Sequence, residues 1–267
     1  MPDRRRKRFS SRWEERASLA KREERDYREA SQTVKPQTIL AETTTPEGEP
    51  LTLVSHDGHF HLQSRGAKLM TTFSHGSEEE LARLACAPSR AARQPAVLVG
   101  GLGFGYTLAA ATEALPQQGA RFLVAEQSPA IVEWNQTHLR ELHPQLWEDD
   151  RILIEPVPVQ QLMAENVDTF SAILLDVDNG PWAFQDAGNE DLYSLAGLER
   201  AKAALKTGGI LGVWSVRPDK NFEKNLRKTG FEVSCEKVPA TSKGKQNRFH
   251  TIWLARKGVY QSQHRRS

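Results

Sequence analysis

With 267 residues, 38% of them hydrophobic, and a formal charge of only +2, the chain has room for one large α/β domain with a smaller appendage. No run approaches the ~20 apolar residues of a membrane span, and the basic N-terminus lacks the apolar segment of a secretory signal, so neither a membrane partner nor export is expected. Cys86 and Cys235 lie far apart and are the only cysteines, which argues against a disulfide framework and for a reducing, cytoplasmic setting.

Charge is concentrated at the ends. The first 28 residues hold 11 Lys and Arg against six acids, and the chain closes on His264-Arg265-Arg266. Residues 1–36 read as a solvated arm, disordered or loosely helical; the functional alternative is a weak contact with nucleic acid or another polyanion. Residues 37–76 alternate short apolar runs with the turn signals Pro46-Glu47-Gly48 and Asp57-Gly58, which predicts a small antiparallel β-rich unit. At Ser77 a helix is expected, with Ser77 as N-cap and Glu80 completing a capping box.

From residue 95 the rhythm becomes strand, helix, strand. "AVLVGG", "RFLVAE", "RILIEPV", "SAILLD" and "ILGVWS" are the strands, separated by helical stretches. One of these, "DLYSLAGLERAKAALKTGG", is expected to stop at a left-handed cap on Gly208-Gly209. Such alternation implies a parallel sheet with helices on both faces. After "DKNFEKNLRKTG" two strands follow with no helix between them, "FEVSCEKV" and "FHTIWLARK", and should pair antiparallel. The fold class is therefore α/β: a mostly parallel seven-stranded sheet over residues 77–257 ending in an antiparallel pair, the Rossmann-like pattern of class I S-adenosylmethionine-dependent transferases. Residues 258–267 form a basic tail.

The loop Gly100-Gly101-Leu102-Gly103-Phe104-Gly105 sits where open α/β sheets bind ligands, beyond the carboxyl ends of the strands. Its Gly101-x-Gly103-x-Gly105 spacing differs from that of dinucleotide sites, and no Lys-Ser/Thr follows as in a P-loop. Glu126 ends the next strand, 21 residues after Gly105, where a carboxylate can accept both hydroxyl hydrogens of a ribose. Gly101, Gly103, Gly105 and Glu126 are thus the candidate nucleoside-binding residues; packing and a surface acid are the structural alternatives. Asp176 and Asp178 follow the fourth strand. A carboxylate there can take a proton from an attacking amine or steady a sulfonium, although Asp178-Asn179-Gly180-Pro181 is also a good turn. Trp182 and Phe184 could cover a ligand or anchor that loop. His56, His59, His61 and His75 crowd one region, but with no cysteine nearby and no common zinc spacing a metal site is not expected.

In order and spacing, "VLVGGLGFG", "VAEQSPAIVEWNQ", "AILLDVDNGP" and "LYSLAGLERAKAALKTGGILGVWS" resemble the core of the spermidine synthase (aminopropyltransferase) family, and residues 37–73 resemble its N-terminal β-domain. The resemblance covers about residues 40–256. It implies ribose binding by Glu126, amine handling by Asp176, and aminopropyl transfer from decarboxylated S-adenosylmethionine to putrescine or a similar amine. Three places depart from the family: Gly103 stands where its loop carries an aspartate, Ser77-Glu78 where it has a Tyr-His pair, and Pro158 where an acid would bond the adenine amino group. Glu78, Glu79 and Asp178 are the carboxylates able to substitute as binders of the amine substrate.

Three functions follow as expectations. The first is a spermidine-synthase-like transferase using a sulfonium donor, as a possible homodimer. The second is methyl transfer from S-adenosylmethionine itself, favoured by the uncharged Gly103. The third is a non-catalytic nucleoside- or polyanion-binding protein, favoured by Pro158 and the basic ends.

Overall fold

The structure, a computed structural model, describes residues 36–45, 48–177, 180–181, 190–241 and 248–258. The basic arm, the tail beyond 258, the Pro46-Glu47 turn and the acid-loop candidates Asp178, Trp182 and Phe184 lie outside the described residues.

A four-stranded antiparallel sheet comes first: β1 (Thr38–Thr44), β2 (Pro50–His56), β3 (His59–Ser64) and β4 (Ala67–Thr71), in sequential order. Two of its connections are two-residue turns. Asp57 and Gly58 have φ of +50° and +77°, and Arg65 and Gly66 of +48° and +76°. Positive φ at both central residues is the hairpin turn whose twist matches the strands it joins. Leu51 and Leu53 on β2 alternate to one side and, with Leu62, join the core of the second sheet.

That second sheet holds β5 (Ala96–Gly100), β6 (Arg121–Ala125), β7 (Ile152–Glu155), β8 (Phe170–Leu175), β9 (Leu205–Ser215), β10 (Phe231–Pro239) and β11 (Phe249–Lys257) in the order β10-β11-β9-β8-β5-β6-β7. β5 to β9 pair in parallel, while β11 inserts between β9 and β10 antiparallel to both. The expected Rossmann-like sheet with its terminal antiparallel pair is the sheet observed. Among the described residues the α-helices around it are α1 (Gly76–Cys86), α2 (Tyr106–Ala114), α3 (Pro129–Gln136), α4 (Val159–Glu165), α5 (Glu190–Tyr193), α6 (Leu195–Ala204) and α7 (Lys220–Lys228).

Strand periodicity sorts the core into two layers. Val97 and Val99, Ala172 and Leu174 face α1, α2 and α3. Their neighbours Leu98, Ile173 and Leu175 face α4, α6 and α7. Both faces are therefore apolar, which is why these strands read as unbroken hydrophobic runs. Trp134, Trp214 and Trp253 are buried.

Two expected helix ends fall elsewhere. The helix predicted to run to Gly208-Gly209 breaks at Ser194, whose hydroxyl caps α6 by accepting from the Gly197 N–H at 3.1 Å, and it stops at Ala204. Gly208, at φ +81°, instead lies in β9, where the register with β8 shifts. At α1 the N-cap is His75, with no side-chain capping bond; Ser77 is drawn into the interior, and Glu80 pairs with Arg83.

Helix α1 sits close on β9 because Gly212 has no side chain. A Cβ there would lie 2.9 Å from Leu81 Cδ1 and 3.1 Å from Ala85 Cβ. Gly212→Val is expected to lower stability by about 1–3 kcal/mol through overpacking, read as a reduced denaturant midpoint.

Candidate active site at the strand ends

The chain leaves β5 towards β6 and β7, then returns to place β8 on the other side of β5. Strand order reverses there, and crevices beyond the carboxyl ends at such a switch point are where open α/β sheets bind ligands. Gly101, Glu126 and Asp176 each stand one residue past the ends of β5, β6 and β8.

Backbone bonds fix the glycine loop. Gly101 N–H donates to Ala125 O at 2.9 Å, and Gly105 N–H to Leu102 O at 2.8 Å. From α3, the buried Asn135 donates its Nδ2 to Gly103 O at 2.8 Å. Gly101, Gly103 and Gly105 have φ of +85°, +51° and +84°, a region that residues with a Cβ avoid. The Cβ side of each is already taken by protein. A Cβ on Gly101 would meet Asp176 O at 2.9 Å, on Gly103 the Met70 Cε at 2.7 Å, and on Gly105 the His143 Cδ2 at 3.2 Å. The glycines thus serve turn geometry and close packing, and a ligand could reach this loop only through its backbone groups.

Glu126 is aimed at the loop. Its Oε2 accepts from Leu102 N–H at 3.0 Å and its Oε1 from Ser128 N–H at 2.8 Å. On the other side of the loop, Asp176 Oδ2 accepts from Thr107 Oγ1 at 2.5 Å. The segment Gly101–Thr107 therefore touches Glu126 at one end and Asp176 at the other.

Helix α1 adds two more carboxyl groups. Glu78 is 9% exposed, and its Oε2 accepts from Ser77 Oγ at 2.5 Å. Burial, then the charge of Asp176, pushes its pKa well above the ordinary carboxylate range, the Ser77 bond only partly opposing this. Burial likewise raises Asp176, against the stabilising bond from Thr107. Each of these buried carboxyls therefore resists ionising, and the charge of Asp176 adds to the cost for Glu78. Glu79 pairs with His75 Nδ1 at 2.8 Å.

His75 stacks on Tyr106, with centroids 4.0 Å apart and planes 6° from parallel, and His143 meets Tyr106 edge-on at 4.8 Å. Burial raises the Tyr106 phenol to about 12, with Glu79 and Glu78 adding to the effect. Burial and His75 lower His143 to about 4. Carboxyl groups close to aromatic rings suit a cationic ligand.

The structure brings Gly101, Gly103, Gly105, Glu126, Asp176, Glu78 and Glu79 to one edge of the sheet. Sequence reasoning passed over His75 as an aromatic partner, and also Tyr106, Thr107, Asn135 and Met70. A signal existed for Tyr106 and Thr107, which open the helix directly after the loop. Met70 comes from β4 of the other sheet, and nothing local marks it. His61 is buried in β3, and among the described residues no three His, Cys, Asp or Glu side chains converge as a metal centre. Nor is any described helix long and apolar enough to cross a membrane.

No protein-family model matches the chain, and no curated protein matches it by sequence. Solved structures do. The spermidine synthase from Thermotoga maritima aligns with a TM-score of 0.63 and 16% identity over 83% of this chain and 74% of that one. A spermidine synthase in complex with the transition-state analogue AdoDATO aligns at 0.62 and 16%, over 83% and 73%. A probable spermidine synthase from Corynebacterium glutamicum aligns at 0.54 and 13%, over 85% and 82%. The chain shares the fold of these proteins.

Proposed function

We propose that this protein is a transferase that takes an S-adenosyl sulfonium donor and acts on an amine, with aminopropyl transfer from decarboxylated S-adenosylmethionine as its reaction. The observation that carries this reading is the segment Gly101–Thr107, which contacts Glu126 on one side and Asp176 on the other. Glu126 and the loop backbone would hold the adenosine, while Asp176, with Glu78 and Glu79, would hold the acceptor. Bound there, the donor supplies an electrophilic carbon on positive sulfur.

An amine arrives as an ammonium and has no lone pair until it loses a proton. Asp176 and Glu78 first attract the cation, and one of them then takes that proton; pKa values raised towards neutrality suit a general base. The nitrogen lone pair forms the new C–N bond as the C–S bond breaks, leaving a neutral thioether. The stacked rings of Tyr106 and His75, close to Glu78 and Glu79, would shield the transfer from water.

Methyl transfer from S-adenosylmethionine is the second reading, favoured by the uncharged Gly103 under the thioether of Met70. Ligand-induced thermal shift separates the two. The first reading expects stabilisation by decarboxylated S-adenosylmethionine and by methylthioadenosine, and little by S-adenosylmethionine. The second expects S-adenosylmethionine to be preferred. Silence with all three would remove both.

A further inference from the structure

Ser77 is fully buried, and its hydroxyl oxygen has three polar neighbours from three elements. Trp214 Nε1 on β9 lies at 2.9 Å, His250 Nδ1 on β11 at 2.8 Å, and Glu78 Oε2 on α1 at 2.5 Å. A serine hydroxyl has one proton to give and two lone pairs to receive with. The indole N–H can only donate, so it fills one lone pair. When Glu78 is ionised its carboxylate can only accept, so in that state the single Ser77 proton goes to Glu78. The remaining lone pair faces His250, which must then present Nδ1 as a donor. We propose that Ser77, Trp214 and His250 are positioning residues for the ionised form of Glu78: two donors saturate the serine oxygen and force its one proton onto Oε2, leaving Oε1 outside this network.

The surroundings fit the assignment. His250 is 7% exposed, and its ring stands edge-on to Trp214 at 4.7 Å and 77°, which fixes its orientation. Burial, with Arg248 nearby, lowers its pKa to about 4, so the ring is neutral and carries one N–H. The ionisable groups around Glu78 are Asp176 from the end of β8, Glu79 on its own helix, Tyr106 on α2 and His250 on β11. Of these the acids oppose its ionisation. The bond from Ser77 favours the ionised form, and is the contact through which the network acts.

That Glu78 is held for an acceptor amine rests on the transferase reading; the direction of the hydrogen bonds does not. The test therefore uses no substrate. In the full-length protein with isotope-labelled histidine, the ring-nitrogen shifts of His250 are recorded at a pH high enough to ionise Glu78. The expected result is the Nδ1–H tautomer; the Nε2–H tautomer would overturn the proposal. The carboxyl-carbon titration of Glu78 is then followed in the wild type and in S77A. Losing a charge-assisted bond should raise the apparent pKa by about 1–2, and an unmoved titration would also overturn it. If S77A does not fold, the wild-type tautomer still decides. A failure in either measurement strikes the network alone, whereas missing donor binding strikes the transferase reading alone.

Discussion

Asp176→Asn is expected to cut the transfer rate by about 10²–10⁴-fold, the usual contribution of a positioned general base, while donor affinity is unchanged. The substitution is close to isosteric. Its amide oxygen can still accept from Thr107, whose hydroxyl lies 2.5 Å from Oδ2, so the end of β8 should keep its shape. What disappears is the negative charge that would draw the proposed acceptor cation and the basicity that would receive its proton. Glu126 and the glycine loop, which would hold the donor, contact neither of the atoms that change. Steady-state rates beside calorimetric donor titration check both halves. A rate equal to wild type would end the role given to Asp176, and a lost rate with equally lost donor binding would make the residue structural.

Glu78→Gln should stabilise the protein while impairing it, and increasingly so as pH rises. The pKa of Glu78 stands above its unfolded value because burial and Asp176 penalise the charge. A carboxyl raised in the folded state binds more protons folded than unfolded, so its contribution is greatest in acid and is lost as pH climbs towards the folded pKa. His143 and His250 act oppositely. Their folded values near 4 lie below the ordinary 6.5, so they add stability as pH rises between those limits. Above 6.5 both are neutral in either state, and the carboxyl pair alone of these groups still titrates. Wild-type thermal midpoints should therefore fall across that upper range, with a flatter profile for E78Q. A tenfold difference in proton affinity between the folded and unfolded chain is worth about 1.4 kcal/mol, and each kcal/mol moves the midpoint by about 2–4 °C at this chain length. Parallel profiles for the two proteins would show that Glu78 is not a strained carboxylate. Such a gain at the cost of turnover is the trade expected where a site stores unfavourable charge.

The sequence by itself determined the architecture, because the signals for it are local. Apolar runs such as Val97–Val99 and Ile173–Leu175 can be buried on both faces only in a covered parallel sheet, and two strands without an intervening helix at the end have to pair antiparallel. The same locality made Gly101–Gly105, Glu126 and Asp176 readable as candidates, since strand ends mark the ligand edge of such a sheet. Helix ends were less legible: Ser194 won the start of α6 by capping it, and Gly208 served a strand irregularity instead of a helix stop.

Only the tertiary structure decided how the site is furnished. Glu78 and Asp176 lie far apart in the chain, and their mutual repulsion exists only once α1 packs against the end of β8. Ser77 had the local credentials of a helix cap, yet Trp214 and His250, 137 and 173 residues distant, claim its hydroxyl inside the core. Met70 reaches Gly103 from a different sheet. Periodicity reports which face of an element is buried; which polar group a buried side chain will meet there depends on atoms brought within about 3 Å by packing, and no spacing along the chain encodes that.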